Sequence, residues 1–142
     1  MYSFVIGPED SHDDSVDKIH DLEKKYKIKF PEVLVEYYSK CDGNPIILSK
    51  ITIDGYECEI AKIVPIISDK MSFEDIVDND RVDGFLPTNF YPIARDRGGD
   101  YYYWDSKTEV VYLILVDDYE NPFKVSDSIN AFFEMIEKSN KN

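Results

Sequence analysis

The sequence predicts an α+β protein, with helices at both ends of the chain and a β-rich middle. Three observations carry that reading. Apolar residues recur at helical spacing near the N-terminus and again in SDSINAFFEMIEKSN at the C-terminus. Between residues 50 and 116 they alternate or run without interruption, as strands do. Asp54-Gly55 and Gly98-Gly99 then supply short reversals between those runs. A chain of 142 residues fits one domain, 1–142, and 43% apolar residues suffice for a packed interior.

The first 15 residues, ending in PEDSHDDS, read as an acidic lead-in that carries helix-capping residues. From there Val16, Ile19, Leu22 or Glu23, and Tyr26 keep helical spacing. The segment ends at Ile28-Lys29-Phe30, and Pro31 opens a second helix, EVLVEYYSKC. Proline suits a first helical turn, where its missing N–H has no partner to lose. Asp42-Gly43-Asn44-Pro45 stops that helix, with Gly43 at the left-handed position. Two helices joined by a short bend form a helix–turn–helix unit, too acidic to read DNA.

In ITIDGYECEI the period changes to two. A two-residue turn at Asp54-Gly55 sets Ile53 opposite Tyr56 and Ile51 opposite Cys58, all on one face. Cys58 thus reads as a small core residue. Residues 68–84 form a connection with a short helix begun near Ser72, where Ser72 and Asp75 make a capping-box variant. Asp78, Asp80 and Gly84 resemble a calcium loop only faintly, since Phe90 and Tyr91 stand where its bidentate glutamate belongs. Val110–Val116 is β-branched and aperiodic, a buried central strand joined to Tyr101–Trp104 by a turn at Ser106-Lys107. The last helix, capped by Ser126 or Asp127, carries the stripe Ile129, Phe132, Phe133 and Ile136.

The stretch ARDRGGDYYYWD invites a catalytic reading and does not support one. A phosphate loop leads into a helix, whereas here a strand follows the glycines. A GGD-type catalytic site would continue with acidic residues, and this chain continues YYYW. The paired glycines serve a tight turn, around which Arg95, Asp96, Arg97 and Asp100 are expected to cluster as ions. Along the following strand Tyr101 and Tyr103 face one way and Tyr102 and Trp104 the other. His12 and His20 fit neither a zinc motif nor a triad. The sequence accordingly predicts no catalytic residue, no cofactor and no metal site.

Charge bounds the partners. Twenty-nine acids against 16 bases leave a net charge of −13. Such a chain repels nucleic-acid backbones and anionic membranes and is steered toward basic partners. The same imbalance also serves plain solubility. Cys41 and Cys58 show no CxxC spacing, which favours free thiols in a reducing compartment. No basic, apolar leader and no run of about 18 apolar residues is present, so a soluble, cytoplasmic protein is expected.

The order of the pieces is informative as a set. Ile28-Lys29-Phe30-Pro31 precedes an amphipathic helix ending in Cys41-Asp42-Gly43-Asn44. A hairpin follows, then Phe85-Leu86-Pro87, Tyr91-Pro92-Ile93-Ala94, Asp96-x-Gly98-Gly99-Asp100-Tyr101-Tyr102-Tyr103-Trp104-Asp105, and finally Ser128-Ile129-x-x-Phe132-Phe133. Over nearly its whole length the chain resembles the SUKH superfamily, which includes the Smi/Knr-type proteins. It departs from that pattern in lacking a glycine pair after the second helix and a histidine near Val116-Asp117-Asp118.

The resemblance implies helices packed on a mainly antiparallel sheet and a non-enzymatic, protein-binding function. Bacterial members are commonly immunity proteins that neutralise a cognate toxin, often a nuclease, and fungal members are scaffolds in cell-wall signalling. An acidic chain suits a basic toxin domain. The expected contacts are Asp75, Asp78, Asp80 and Asp83, together with Asp96, Asp100, Tyr101, Tyr103 and Asp105. The alternatives are an interaction scaffold with several partners, or a small carboxylate or metal-dependent enzyme. A monomer or weak homo-oligomer is expected.

Overall fold

The computed structural model describes residues 2–140. The chain order is α1 (Asp13–Tyr26), α2 (Glu32–Cys41), β1 (Ser49–Ile53), β2 (Tyr56–Ile60), β3 (Lys62–Ile63), α3 (Phe73–Asp83), β4 (Phe90–Arg95), β5 (Tyr101–Asp105), β6 (Val111–Leu115), β7 (Asp118–Ser126) and α4 (Ile129–Ser139). Strands β1 and β2 form a separate hairpin, and the other five form one sheet in the order β3-β4-β5-β6-β7. Every neighbouring pair is antiparallel. The fold is therefore α+β with helices packed on antiparallel sheet, as expected.

Local chemistry explains most elements. Helix α1 buries Ser15, Ile19 and Leu22, and Asp13 and Asp14 complement the positive end of its dipole. Helix α2 buries Leu34, Tyr37, Tyr38 and Cys41, and Pro31 stands just outside it at the N-cap. The β1–β2 register matches the alternation, with Ile53 opposite Tyr56 and Ile51 opposite Cys58. Asp54 and Gly55 both take positive φ, 51° and 80°, as a type I′ turn requires. At Ser72 the capping box is complete: Ser72 Oγ accepts from the Asp75 N–H, and the Asp75 carboxylate accepts from the Ser72 N–H. Because residues 73–83 are helical, Asp78 and Asp80 stand on α3 and form no calcium loop.

The five-stranded sheet directs Tyr91, Tyr102 and Trp104 into the core. Trp104 meets Phe30 at 5.3 Å between ring centroids, and Tyr102 meets Phe132 of α4 at 5.5 Å. The stripe Ile129, Phe132, Phe133 and Ile136 is buried as predicted. Its cap is Ser128, whose Oγ accepts from the Ala131 N–H, and neither Ser126 nor Asp127 serves. Cys41 and Cys58 are free and buried. Burial pushes the Cys58 thiol up to about 11.

Two strands escape the sequence reading. Strand β3 has only two residues, and β7 contains Glu120, Pro122 and Lys124. β7 is the sheet edge, where proline is tolerated because a ladder bond there is dispensable. Its pairing with β6 also shifts register twice. No helix among the described residues is long and apolar enough to cross a membrane.

Candidate functional site

Four of the predicted contacts serve a helix cap, turns and the α1–α3 contact and do not come together. Asp75 closes the capping box of α3. Asp78 accepts from Tyr26 Oη at 2.7 Å and Lys25 Nζ at 3.0 Å, and Glu74 takes Lys18 and Lys25, so these groups clamp α3 to α1. The hydrogen bonds from Lys18 and Lys25 hold the Glu74 carboxyl below its ordinary range. Asp96 accepts from the Asp100 N–H across the Gly98-Gly99 turn, where Gly99 takes φ +94°. Asp105, at the far end of β5, accepts from Asn89 Nδ2 and the Lys107 N–H.

The expected ion cluster at that turn does not form. Arg97 turns away from both aspartates and makes a two-pronged contact with Glu59 of β2, at 3.1 and 2.9 Å. The reason is geometric. Asp96 and Asp100 are occupied by backbone N–H groups of their own turn and of Val116, and Glu59 offers an open, planar carboxylate.

The remaining candidates converge. Asp80 and Asp83 project from the C-terminal half of α3 and line a small cleft with Phe85, Leu86 and Tyr119. Asp100 sits at the β4–β5 tip, where its Oδ1 accepts from the Val116 N–H at 2.8 Å and joins that tip to the β6–β7 tip. Tyr119 stands among these groups. Burial pushes its phenol up, and Asp80, Asp83 and Asp100 add to the rise because a phenolate there would face three negative charges. Phe85 stacks on Tyr119, ring centroids 5.5 Å apart and planes 14° from parallel, yet Phe85 is 69% exposed. Val116, whose N–H bonds Asp100, is 53% exposed.

Beneath this surface lies Tyr103. It was expected as an exposed contact, but it is only 3% exposed. Its hydroxyl donates to Asp80 Oδ2 at 2.9 Å. Burial, reinforced by Asp83, pushes the Asp80 carboxyl up to about 6, against the opposing pull of the Tyr103 hydrogen bond and Arg81. Tyr101 on the same face is half-buried, and its phenol is raised by burial first, with Arg95 opposing. The result is an apolar, aromatic ledge ringed by carboxylates, an arrangement that accommodates cationic side chains with flat or aliphatic bodies. Among the described residues no group of three or more histidines, cysteines and acids is placed to hold a metal ion.

Phe85 and Tyr119 were missed as site residues. Phe85 carried a signal, since it belongs to the Phe85-Leu86-Pro87 motif, whereas Tyr119 carried none. Asp42 was also missed, read only as a helix stop. It is buried at 7% exposure, and it accepts from Ser15 Oγ, the Ile66 N–H and the Ile67 N–H.

Comparison with known proteins agrees with this architecture. A solved structure described as the crystal structure of a protein from Pseudomonas syringae pv. tomato aligns over 90% of this chain and 83% of its own. Its TM-score is 0.50 at 18% identity, a likeness of fold. Among curated proteins no sequence match is found. The sequence pattern of the SMI1 / KNR4 family (SUKH-1) matches residues 15–135, from the buried Ser15 of α1 to the middle of α4. With most of its length matched, the chain belongs to the SMI1 / KNR4 family (SUKH-1).

Proposed function

We propose that this protein is a non-enzymatic binding domain, an immunity protein that neutralises a basic toxin domain of the nuclease type. The observation that carries the reading is the ledge around Tyr119. Three carboxylates, Asp80, Asp83 and Asp100, surround the Tyr119 phenol, on which the exposed Phe85 stacks, in a chain of net charge −13. Toxins that grip phosphate backbones present lysine and arginine, and an acidic surface steers such a partner and occupies its groove. Exposed aromatics at the centre of a charged rim supply the apolar anchor that long-range attraction lacks.

The test is growth rescue and co-purification with the product of the adjacent gene. Restored growth and a complex that survives gel filtration support the reading. A harmless neighbour that elutes separately removes it and leaves the acidic surface as a solubility device.

A further inference from the structure

The β3 edge of the sheet carries charge opposite in sign to most of the surface. Lys62 of β3 and Arg95 of β4 are direct antiparallel partners, so both side chains leave the same face. Like charges directly opposite each other disfavour strand pairing. Lys70, from the segment before α3, joins them around a concavity of roughly 270 Å³ also lined by Val64, Pro65, Met71, Ile76 and Tyr101. Among the described residues none of these three cations forms an ion pair. No acid lines the concavity, in a chain that has 29. Asp69 and Asp96 line the adjoining groove that Lys62 and Arg95 also border, and Asp80 acts on Tyr101 from the ledge side.

We infer that this concavity binds a carboxylate carried on a short aliphatic body. The Arg95 guanidinium offers a planar fork that matches a carboxylate, and Lys62 and Lys70 complete the charge. Val64, Met71 and Ile76 bury the aliphatic part, with Met71 adapting to its shape. A bound monoanion separates two cations that the sheet holds together. A dianion such as phosphate meets the same cations but is penalised more heavily by the field of a chain with net charge −13. A free aliphatic acid and the C-terminal residue of a polypeptide present the same chemistry. Tyr101 borders this concavity as well as the tyrosine face beside the ledge, but none of the three cations lines the cleft around Tyr119, so the inference does not depend on that reading.

The experiment is isothermal titration of the full chain with hexanoate, N-acetyl-leucine, N-acetyl-leucinamide and inorganic phosphate, accompanied by amide chemical-shift mapping. Both carboxylates are expected to bind and to shift the amides of residues 62–64, 70–71 and 95. Tighter binding of N-acetyl-leucine assigns the site to a chain terminus, and tighter binding of hexanoate assigns it to a free acid. The leucinamide is expected to bind at least tenfold more weakly, as is N-acetyl-leucine to K62Q and R95Q. Lys62 is exposed, so K62Q keeps the fold and its melting curve verifies that. Equal binding of acid and amide overturns the proposal, as does phosphate binding as tight as carboxylate, or K62Q and R95Q titrating like the wild type.

Discussion

The Tyr103 hydroxyl donates to Asp80 Oδ2 over 2.9 Å, which ties the middle of the sheet to the last turns of α3. This bond lies directly under the acidic ledge and holds one of its three carboxylates in place. Replacing Tyr103 with Phe keeps the ring and removes only the donor. Y103F is expected to lose about 1.5–3 kcal/mol in urea denaturation at neutral pH, since a hydrogen bond to a charged group is at stake. The Asp80 carboxyl is expected to titrate higher than in the wild type, because the bond that lowers it is gone, and carboxyl NMR reads that shift.

Asp80 also makes stability depend on pH in a direction unusual for a carboxylate. Its pKa rises from 3.8 to about 6 on folding, driven first by burial. Between those values the native state holds a proton that the unfolded chain has released. The contribution is thus fully present below about pH 4 and is lost as pH rises through 6. Glu74, whose folded pKa is lowered, acts the other way, its contribution being lost as pH falls. The difference between D80N and wild type isolates Asp80. Thermal melts are expected to show D80N gaining on wild type between pH 4 and 6.5, and parallel curves would contradict this.

Asp42 is the polar keystone of the α1–α2 unit. One buried carboxylate satisfies Ser15 Oγ and the backbone N–H groups of Ile66 and Ile67. D42A leaves those donors without an acceptor, and each unsatisfied buried group costs about 1–3 kcal/mol. A loss of about 3 kcal/mol or more in chemical denaturation is expected. A loss below about 1 kcal/mol would mean that water replaces the carboxylate.

The ledge itself is tested by F85A and D83N against the basic partner proposed above, the product of the adjacent gene. Phe85 is mostly exposed, so its truncation removes contact area with little effect on the core. Each variant is expected to weaken the complex at least tenfold, about 1.4 kcal/mol, while its melting temperature stays near that of wild type. Raising the salt concentration is expected to slow association of the wild type more than of D83N, which stopped-flow mixing measures.

The cation pair at the sheet edge has its own signature. K62E converts a like-charge cross-strand pair with Arg95 into an attractive one. The variant is expected to be more stable by about 0.5 kcal/mol, read from urea denaturation at low ionic strength, and the gain should shrink in high salt.

How much of this was legible in the sequence differs between levels. The helices, the Asp54-Gly55 hairpin and the strand after Gly98-Gly99 follow from periodicity and turn chemistry, which are local. Strand β7 was not legible, because Pro122 and its charged neighbours spell a loop until β6 is there to pair with. The candidate site was legible only as a set of acids. Asp75, Asp78, Asp80 and Asp83 look alike in sequence, yet a helix distributes them around its circumference. Asp75 caps the helix, Asp78 meets α1, and only Asp80 and Asp83 reach the ledge. That Phe85 and Tyr119, 34 residues apart, stack on one another depends on tertiary folding alone.

The two ends of the five-stranded sheet bear on how the protein behaves at high concentration. At one end β3 offers two residues, one of them a lysine. At the other, β7 carries a proline, two register shifts and charged side chains. Long, regular edges are templates on which a second copy can add its own strand. Neither end provides such a template. Crowded solutions of this chain are therefore expected to resist edge-to-edge polymerisation through this sheet.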